Sequence, residues 1–483
     1  MTDSNVYDFD LTVIGSGPGG YRAAVYAALR GLSVCIIERD VWGGCCLNRG
    51  CVPKKDWYHT AQLIAAQRHF AARGIEGRLR GDLKPAWQHQ KTTVNAIRES
   101  YTAYLKHLKI EAISGHARFT DAHEIRIETP DQEPQTLTTA YAIVATGARA
   151  HVPSPFEETE GRILTTDTLF DHEPPEGDRV AVIGSGVVAT EMAFILTQLG
   201  RKITWLTRSE PLARERFTPQ ARQVLKDRFA DHGIEPIRVD GYDNVDVSNQ
   251  VSITCGQTIH HVDWVLLGTG RTPNTEDLDL ERAGVEQQAG RALARKSTLQ
   301  LNGAQHLYAI GDVASRWMTA NHALADAKIA VDNILAQRAG DAPKHFQDGR
   351  FVPTAIYSAV ELARFGLDED QAEDEDFEPA TGFAAFETNP RALGEDSAEG
   401  FVRLLADMDD GRLLGAEIVG GEAGELIHLL TLAPTREQAL AIIAQGKWNH
   451  PTRGEEILNA TETLAAKWNL QETIFGVNGS ACE

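Results

Sequence analysis

Three cysteines lie within seven residues of one another, in the segment WGGCCLNRGCVPKK that spans residues 42–55. A straight helix would separate Cys46 from Cys51 by about 7.5 Å along its axis. Cysteines that form a disulfide need Cα atoms closer than about 7 Å, so a bridge between these two requires the chain to bend. Asn48 and Gly50 permit such a bend. The cluster predicts thiols that are catalytic or bind a metal.

The charges around these cysteines favour a reactive thiol. Arg49, Lys54 and Lys55 bring positive charge, a helix is expected to begin nearby, and both effects lower a thiol pKa. One alternative is a set of inert, small apolar side chains. Another is a structural zinc site, but such a site usually needs a second closely spaced ligand pair and only His59 follows nearby. We therefore predict no metal centre.

A glycine-rich turn precedes the cysteines. Gly15, Gly17 and Gly20 form G-x-G-x-x-G directly after the apolar strand LTVI and before a helix of small residues. This pattern is typical of a dinucleotide site, because the glycines allow a tight turn, close approach to a pyrophosphate and close packing of helix on strand. Glu38 ends the next strand, where its carboxylate can accept hydrogen bonds from both hydroxyls of an unphosphorylated ribose.

A second turn of this kind follows about 170 residues later, with the pattern G-x-G-x-x-A formed by Gly184, Gly186 and Ala189. The next strand ends at Thr207 and Arg208. No carboxylate stands there to accept from the 2′-hydroxyl of NAD, whereas an arginine suits the 2′-phosphate of NADP. We therefore expect NADP(H) to be preferred over NAD(H). The alternative is that Arg208, Arg214 and Arg216 are solvated surface residues.

Two strand-turn-helix-strand units of this type predict an α/β protein with two Rossmann-like dinucleotide-binding domains. Residues 83–108 are predicted to be helical, and residues 112–139 to form short strands that lead to AIVATGA at 142–148. The segment LYAIGDVA at 307–314 again predicts a strand followed by a turn. The expected order is a first domain at 1–150, a second at 151–272, a return to the first at 273–345 and an α+β domain at 346–483. The acidic run at 368–378 is predicted to be a solvated helix or loop.

Composition restricts the partners and the location. The 483 residues carry 47 basic and 68 acidic side chains, a net charge of −21, which argues against nucleic acid or an anionic membrane as a partner. Six cysteines are too few and too unevenly spaced for a secreted disulfide framework. No apolar run approaches the roughly 18–20 residues of a membrane span, and the start lacks a signal-peptide pattern. We expect a cytoplasmic protein.

The pattern GGxCxNxGCxPxK downstream of a dinucleotide turn resembles the class I flavoprotein pyridine nucleotide-disulfide oxidoreductases, which include dihydrolipoamide dehydrogenase, glutathione reductase and mercuric reductase. The resemblance runs nearly end to end, through ATG at 145–147, GTGRTPN at 268–274, AIGDV at 309–313 and HPTRGE at 450–455. It implies FAD in the first domain, NAD(P) in the second and a C-terminal dimerisation domain. It also implies a homodimer that acts on a disulfide or dithiol substrate, for which a lipoyl carrier protein is one candidate.

The resemblance assigns the redox chemistry to four residues. Cys51 would be the thiol beside the flavin, and Cys46 the interchange thiol that attacks the substrate. His450 would be the general acid/base, oriented by Glu455 and supplied by the partner subunit. A proton donor is chemically required, because disulfide exchange releases a thiolate, and imidazole titrates in the right range.

The resemblance also assigns residues to the cofactors. Lys54 or Lys55 would pair with Glu191 near the flavin, and Asp312 would hold the ribityl chain. The 208/214 arginine spacing is similar to the NADP-binding pair of glutathione reductases. Further cofactor contacts are implied for Gly44, Lys55, Thr146, Gly147 and Gly270.

The substrate class keeps two alternatives. Three features resemble dihydrolipoamide dehydrogenase: the segments GSGPGGYRAA and AEIVGGEAGELIH, and Val187. In addition, glutathione reductases place substrate-binding arginines at the positions that Val25 and Lys328 occupy here. The Pro-Lys-Lys after Cys51 and the 208/214 arginines resemble glutathione reductase instead. We expect a lipoamide-type substrate. The alternative is an NADPH-dependent reductase of glutathione or a related low-molecular-weight disulfide.

Departures from the family pattern bear on two other hypotheses. Cys45 stands where the family usually has threonine, and we interpret it as lacking a redox role, although participation of Cys45 or Cys482 is an alternative. Mercuric reductase is disfavoured, because its C-terminal vicinal cysteine pair is reduced here to Cys482. A non-catalytic flavoprotein that binds a partner in a redox-dependent way would not need the four residues of the redox centre: Cys46, Cys51, His450 and Glu455.

Overall fold

The structure, a computed structural model, describes residues 7–288, 290–346 and 348–476. The chain folds into two compact units that are interleaved along the sequence. The first comprises the described residues within 1–60, 82–177 and 242–349, and the second those within 61–81, 178–241 and 350–483. No described helix combines the length and the apolar character that crossing a membrane requires.

The strands, in chain order, are β1 (Phe9–Ile14), β2 (Val34–Glu38), β3 (Glu111–Ser114), β4 (His116–Asp121), β5 (Glu124–Glu128), β6 (Gln135–Val144), β7 (Ala148–Ala150), β8 (Ile163–Thr165), β9 (Arg179–Ile183), β10 (Lys202–Thr207), β11 (Pro236–Arg238), β12 (Asn244–Val247), β13 (Val251–Cys255), β14 (Thr258–Val262), β15 (Trp264–Leu267), β16 (Arg271–Pro273), β17 (Leu307–Ala309), β18 (Thr354–Tyr357), β19 (Glu361–Gly366), β20 (Pro379–Ala385), β21 (Phe401–Asp407) and β22 (Leu413–Val419).

The helices are α1 (Pro18–Leu29), α2 (Gly44–Asn48), α3 (Cys51–Ala65), α4 (Leu83–His107), α5 (Thr166–Leu169), α6 (Val187–Gln198), α7 (Pro219–Asp231), α8 (Ala320–Ala339), α9 (Glu369–Asp374), α10 (Pro390–Gly394), α11 (Ala423–Leu426), α12 (Arg436–Gln445), α13 (Glu455–Trp468) and α14 (Gln471–Phe475).

The main sheet of the first unit is parallel at its centre. β3, β2, β1, β6 and β17 lie side by side in that order, and β5 and β4 extend the N-terminal half of β6 as an antiparallel meander. The inner strands are nearly continuous apolar runs, as expected of a parallel sheet that is covered on both faces. Leu11 and Ile36 pack with α1 and α8 on one face, whereas Ile14 and Ile37 pack with β4 and β5 on the other. This packing fixes the carboxyl ends of β1 and β2, where the first glycine turn and Glu38 lie.

Further strand pairings complete the first unit. β12, β13 and β14 form an antiparallel meander, β15 pairs with β8 in parallel, and β16 pairs with β7 antiparallel. The last pairing joins the residues that follow ATG to those that follow the GTG of GTGRTPN.

The second unit contains two groups of paired strands. β9, β10 and β11 are parallel, with α6 following the second glycine turn. β18, β19, β22, β21 and β20 form an antiparallel sheet in that order. Ile457, Ala460 and Leu464 lie on one face of α13 at helical spacing and enter the core of this sheet.

The predicted α/β class and the α+β C-terminal segment are confirmed. The helix predicted at 83–108 is α4, and the strands predicted at 112–139 are β3 to β6. The acidic run forms α9, which begins with a capping box between Asp368 and Gln371. Some of its acids are not merely solvated, because Asp368 pairs with Arg216 and Glu369 with Arg403. The four-segment domain division stays a prediction.

Candidate active site

The first glycine turn is closed too tightly for side chains at two positions. Gly15 has φ +105°, and a Cβ there would lie 2.4 Å from the carbonyl oxygen of Ala145. A Cβ on Gly20 would lie 1.9 Å from the oxygen of Gly15. Gly17, the N-cap of α1, differs, because an added Cβ would meet no atom within 4 Å. The start of α1 therefore borders open space, as a bound pyrophosphate requires.

Glu38 is buried at the end of β2 and anchors this turn. Its Oε2 accepts hydrogen bonds from the Ser16 backbone N–H at 2.8 Å and from the Ser16 hydroxyl at 2.6 Å, and its Oε1 accepts from the Asp40 N–H at 2.9 Å. The Ser16 oxygen in turn accepts from the Gly43 N–H at 2.9 Å. The glycine pattern does not predict Ser16 as a site residue. Its only signal in the sequence was its position between two glycines of the turn.

The cysteine segment begins against the same turn. A Cβ on Gly44, which has φ +61°, would lie 2.8 Å from the Cα of Gly17. α2 ends at Asn48 and α3 begins at Cys51, so the predicted bend is present at residues 49–50. A Cβ at position 50 would lie 3.1 Å from the carbonyl oxygen of residue 45, so the two sides of the bend approach each other closely there.

Cys46 and Cys51 are partly buried, and their side chains are hydrogen-bonded to each other. The hydrogen bond to Cys51 raises the pKa of the Cys46 thiol, and burial raises it further. The expected lowering of this pKa by nearby cations is therefore wrong for Cys46. Arg49 does not act on it as a free cation, because its guanidinium pairs with Asp40 and Asp171, each at 2.6 Å.

Cys45 has a partner of its own. Its Sγ donates to Oδ1 of Asp167 at 3.6 Å, and the other carboxylate oxygen of Asp167 accepts from the Ala150 N–H at 2.8 Å. Arg271 lies 3.7 Å from the same carboxylate. Burial, with contributions from Asp167 and Cys51 that Arg271 opposes, raises the pKa of Cys45 to about 12. The Cys45 thiol is therefore protonated at neutral pH.

The segments that carry ATG and GTGRTPN meet beside Asp312. The Thr146 hydroxyl donates to the carbonyl oxygen of Asn274 at 2.7 Å. Gly147 and Gly270 have φ +67° and +108°, and a Cβ on either would meet nothing within 4 Å. Burial raises the pKa of Asp312, and Arg271, at 3.7 Å, opposes that rise. A carboxyl group here gains from an additional hydrogen-bond donor, which a ribityl hydroxyl would provide.

The residues predicted to bind FAD therefore fit that cofactor. The first unit brings together the glycine turn, Glu38, the cysteine turn, residues 146–147 and Asp312. Lys54 and Lys55 lie in the first turns of α3.

The second unit carries the other predicted residues. Gly184 has φ +126°, Gly186 is the N-cap of α6, and Ala189 is fully buried. Buried Glu191 accepts a hydrogen bond at Oε1 from the Tyr357 backbone N–H at 2.8 Å. Its pairing with Lys54 or Lys55 stays a prediction.

The end of β10 presents two arginines. Thr207 is buried, whereas Arg208 and Arg214 are exposed. Among the described residues, neither guanidinium has a hydrogen-bond or ion-pair partner. Arg216 differs, because it pairs with Asp368. Two cationic groups are thus available to an anionic ligand at this strand end.

His450 and Glu455 form a histidine-carboxylate dyad. Nδ1 of His450 lies 2.7 Å from Oε1 of Glu455, and Oε2 accepts from the Thr452 N–H at 2.7 Å. These two hydrogen bonds, that to His450 first, lower the pKa of Glu455. The imidazole is 72% exposed, so Nε2 is accessible to another molecule or subunit. Cys482 lies outside the described residues.

Comparisons with known proteins identify relatives along most of the chain. A family model described as "Pyridine nucleotide-disulphide oxidoreductase" matches residues 9–327, and the model of that family's dimerisation domain matches residues 352–461. A dihydrolipoyl dehydrogenase from Chlamydia muridarum is 31% identical over 454 residues, which cover 92% of this chain and 95% of the relative. Dihydrolipoyl dehydrogenase 2 from Haloarcula marismortui is 30% identical over 460 residues, with coverages of 93% and 95%.

Solved structures show the same fold. LpdA from Mycobacterium tuberculosis superposes with a TM-score of 0.83 at 25% identity, covering 94% of this chain and 99% of that one. The HOCl-induced flavoprotein disulfide reductase RclA from Escherichia coli, as its Cu(II) complex, has a TM-score of 0.80 at 24% identity, covering 95% and 99%. The second likeness concerns the fold alone.

Proposed function

Because the chain belongs to the pyridine nucleotide-disulphide oxidoreductase family, we propose that it couples NADP(H) to a lipoamide-type dithiol or disulfide through the redox pair Cys46 and Cys51. The enzyme is an FAD-dependent oxidoreductase with the family's dimerisation domain. FAD, when bound, supplies the two-electron relay between the nicotinamide and the cysteine pair. The observation that carries the proposal is the hydrogen bond between the Cys46 and Cys51 thiols, in a turn that begins against the dinucleotide-binding glycines.

The exchange chemistry follows from the roles of these residues. A substrate thiolate attacks Sγ of Cys46 and breaks the Cys46–Cys51 bond, and the second substrate thiolate then displaces Cys46. Both cysteines are left reduced, and the substrate leaves as a disulfide. The reverse sequence reduces a disulfide substrate.

His450 would move the protons in this exchange. Its Nδ1–H donates to Glu455, which leaves Nε2 to accept a proton from a substrate thiol or, once protonated, to return one to a departing thiolate. The lowered pKa of Glu455 keeps its carboxylate ionised and the imidazole oriented. We propose that the histidine of one subunit serves the cysteines of its partner, so that the homodimer is the active form.

The substrate and cofactor choices rest on different observations. The lipoamide class is supported by the dihydrolipoyl dehydrogenase relatives, which match almost the whole chain. NADP(H) is supported by the unpaired Arg208 and Arg214 at a strand end without a carboxylate. The same arginines favour the second candidate, an NADPH-dependent reductase of glutathione or a related low-molecular-weight disulfide.

A steady-state assay of the FAD-loaded enzyme tests this proposal. NADPH and NADH are each combined with lipoamide, glutathione disulfide and mercuric ion, and Cys46→Ser is the matched control. We expect the highest kcat/KM for lipoamide with NADPH and loss of that activity in the control. Turnover of glutathione disulfide alone would favour the second candidate. Turnover of none of them, with FAD bound and reducible, would favour the non-catalytic binding protein.

A further inference from the structure

The turn between the two redox cysteines, residues 46–51, is held by a buried amide. Asn48 is only 4% exposed. Its Nδ2 donates to the carbonyl oxygen of Trp42 at 3.0 Å and to that of Gly44 at 2.8 Å. These hydrogen bonds tie the turn back to the beginning of α2.

The oxygen of the same amide is held from another helix. Arg98, on α4, donates to Oδ1 of Asn48 from Nε at 3.1 Å and from Nη2 at 2.6 Å. Together with the two donated bonds, these contacts fill the hydrogen-bonding capacity of the amide. Because a guanidinium presents its donors in a rigid plane, the Asn48 side chain is restricted to one orientation.

We propose that Arg98 is a positioning residue for the redox pair. Through Asn48 it keeps the reduced turn in a conformation close to that of the disulfide, so that little conformational freedom is lost when Cys46 and Cys51 join. The inference rests on the proposed function, in which these two cysteines alternate between a disulfide and a dithiol.

Loss of this contact affects the two redox forms unequally. The disulfide restrains the turn covalently, whereas the dithiol has only the hydrogen bonds. Removing the Arg98 contact therefore increases the conformational entropy of the dithiol more than that of the disulfide. Formation of the disulfide, here called closure, then becomes less favourable. Freeing the backbone of about one residue corresponds to about a tenfold change in an equilibrium constant.

Lys91 provides a charge-matched control. It lies on α4 and interacts electrostatically with Arg49, Arg98 and Asp171, and it has no hydrogen bond to Asn48. Lys91→Met removes one positive charge from the same neighbourhood and leaves the amide contacts in place. Arg98→Lys keeps the charge but cannot reproduce the two-donor contact.

The test equilibrates the FAD-loaded enzyme with reduced glutathione and glutathione disulfide, which accepts the two electrons and two protons that the cysteines lose on closure. Quenching, alkylation and mass spectrometry then give the fraction of Cys46–Cys51 disulfide. The closure constant is the equilibrium constant for forming this disulfide at the expense of glutathione disulfide. We expect it to fall about tenfold in Arg98→Met and at least threefold in Arg98→Lys, but less than about twofold in Lys91→Met. If Arg98→Met does not retain FAD, the comparison of Arg98→Lys with Lys91→Met decides.

Equal closure constants in the wild type and both Arg98 variants would overturn the inference. So would an equal fall in Lys91→Met and Arg98→Met, because charge rather than position would then be responsible. The proposed function fails separately, if the wild type forms no Cys46–Cys51 disulfide at any glutathione ratio.

Discussion

At the residue scale, Cys45 shows how surroundings decide whether a thiol reacts. It lies next to Cys46 in sequence, yet its thiol donates a hydrogen bond to the carboxylate of Asp167, whereas the Cys46 thiol is hydrogen-bonded to Cys51. We therefore expect the Cys45 thiol to stay bonded to Asp167 while Cys46 exchanges with Cys51 and the substrate, because burial raises the pKa of Cys45 to about 12 and favours this protonated, hydrogen-bonded form. We predict that Cys45→Ser keeps the disulfide turnover rate within about threefold of wild type in a steady-state assay. A loss of more than about tenfold would mean that the third thiol takes part.

His450 provides a second prediction at this scale. His450→Ala should slow the disulfide half-reaction by about 100- to 10,000-fold, the usual contribution of a positioned acid/base, and leave flavin reduction by the nucleotide nearly unchanged. Stopped-flow absorbance separates the two half-reactions. The matched control is His89→Ala, because His89 is also 72% exposed and pairs with a carboxylate, that of Asp56. If both half-reactions slow equally in His450→Ala, the histidine is structural.

The positions of the site residues along the chain could be predicted better than their contacts and pKa values. The cysteines, the glycines and Glu38 stand in short patterns along the chain, so the sequence alone located them. Ser16, Asp167 and Arg98 could not be found in this way, because they contact residues 27, 122 and 50 positions away. The expected lowering of the Cys46 pKa was wrong because the hydrogen bond to Cys51 and burial raise this pKa, and the charges along the sequence show neither effect.

At the scale of elements, we propose that the end of β10 determines which nucleotide is preferred. Arg208→Ala combined with Arg214→Ala should weaken NADPH binding by about 2 kcal/mol or more, some 30-fold, because charge-assisted bonds to the 2′-phosphate are lost. NADH binding should barely change. Fluorescence titration with both nucleotides measures this, and Arg216→Ala is the control, because Arg216 pairs with Asp368. A wild-type enzyme with a higher kcat/KM for NADH would contradict this interpretation of the strand end.

The boundaries of helices and strands were predictable where apolar residues or glycines formed a continuous pattern along the chain. The apolar runs of β1 and β2 and the glycine turn between β1 and α1 indicated a parallel sheet. The need for a bend between Cys46 and Cys51 followed from helix geometry alone, and α2 and α3 indeed meet at residues 49–50. The long-range contacts that hold this bend come from α4 and from Asp171, and no local pattern of residues could indicate them.

At the scale of the whole molecule, we predict that each active site combines residues of two subunits. Mixing His450→Ala and Cys46→Ser subunits would then create hybrid dimers with one complete site, whereas each parent has none. Refolding or co-expression of the two inactive variants should restore up to about half of the wild-type activity per hybrid dimer. No recovery, with hybrid formation verified by mass spectrometry, would mean that His450 serves its own chain.

The arrangement of the chain at this scale was only partly predictable. The repeated strand-turn-helix pattern indicated two nucleotide-binding folds, and LYAIGDVA indicated a return to the first, where β17 indeed joins β6. The assignment of residues 61–81 to the second compact unit had no signal in the sequence, because it depends on which distant surfaces the segment packs against.

The central claim is that Cys51 lies beside the flavin and Cys46 exchanges with the substrate. Anaerobic two-electron reduction of the FAD-loaded enzyme, followed by absorption spectroscopy, tests it most directly. We predict a band at wavelengths beyond the flavin's own absorption in the wild type, its retention in Cys46→Ser without disulfide turnover, and its absence in Cys51→Ser. A band that persists in Cys51→Ser, or turnover that persists in Cys46→Ser, would contradict the assignment.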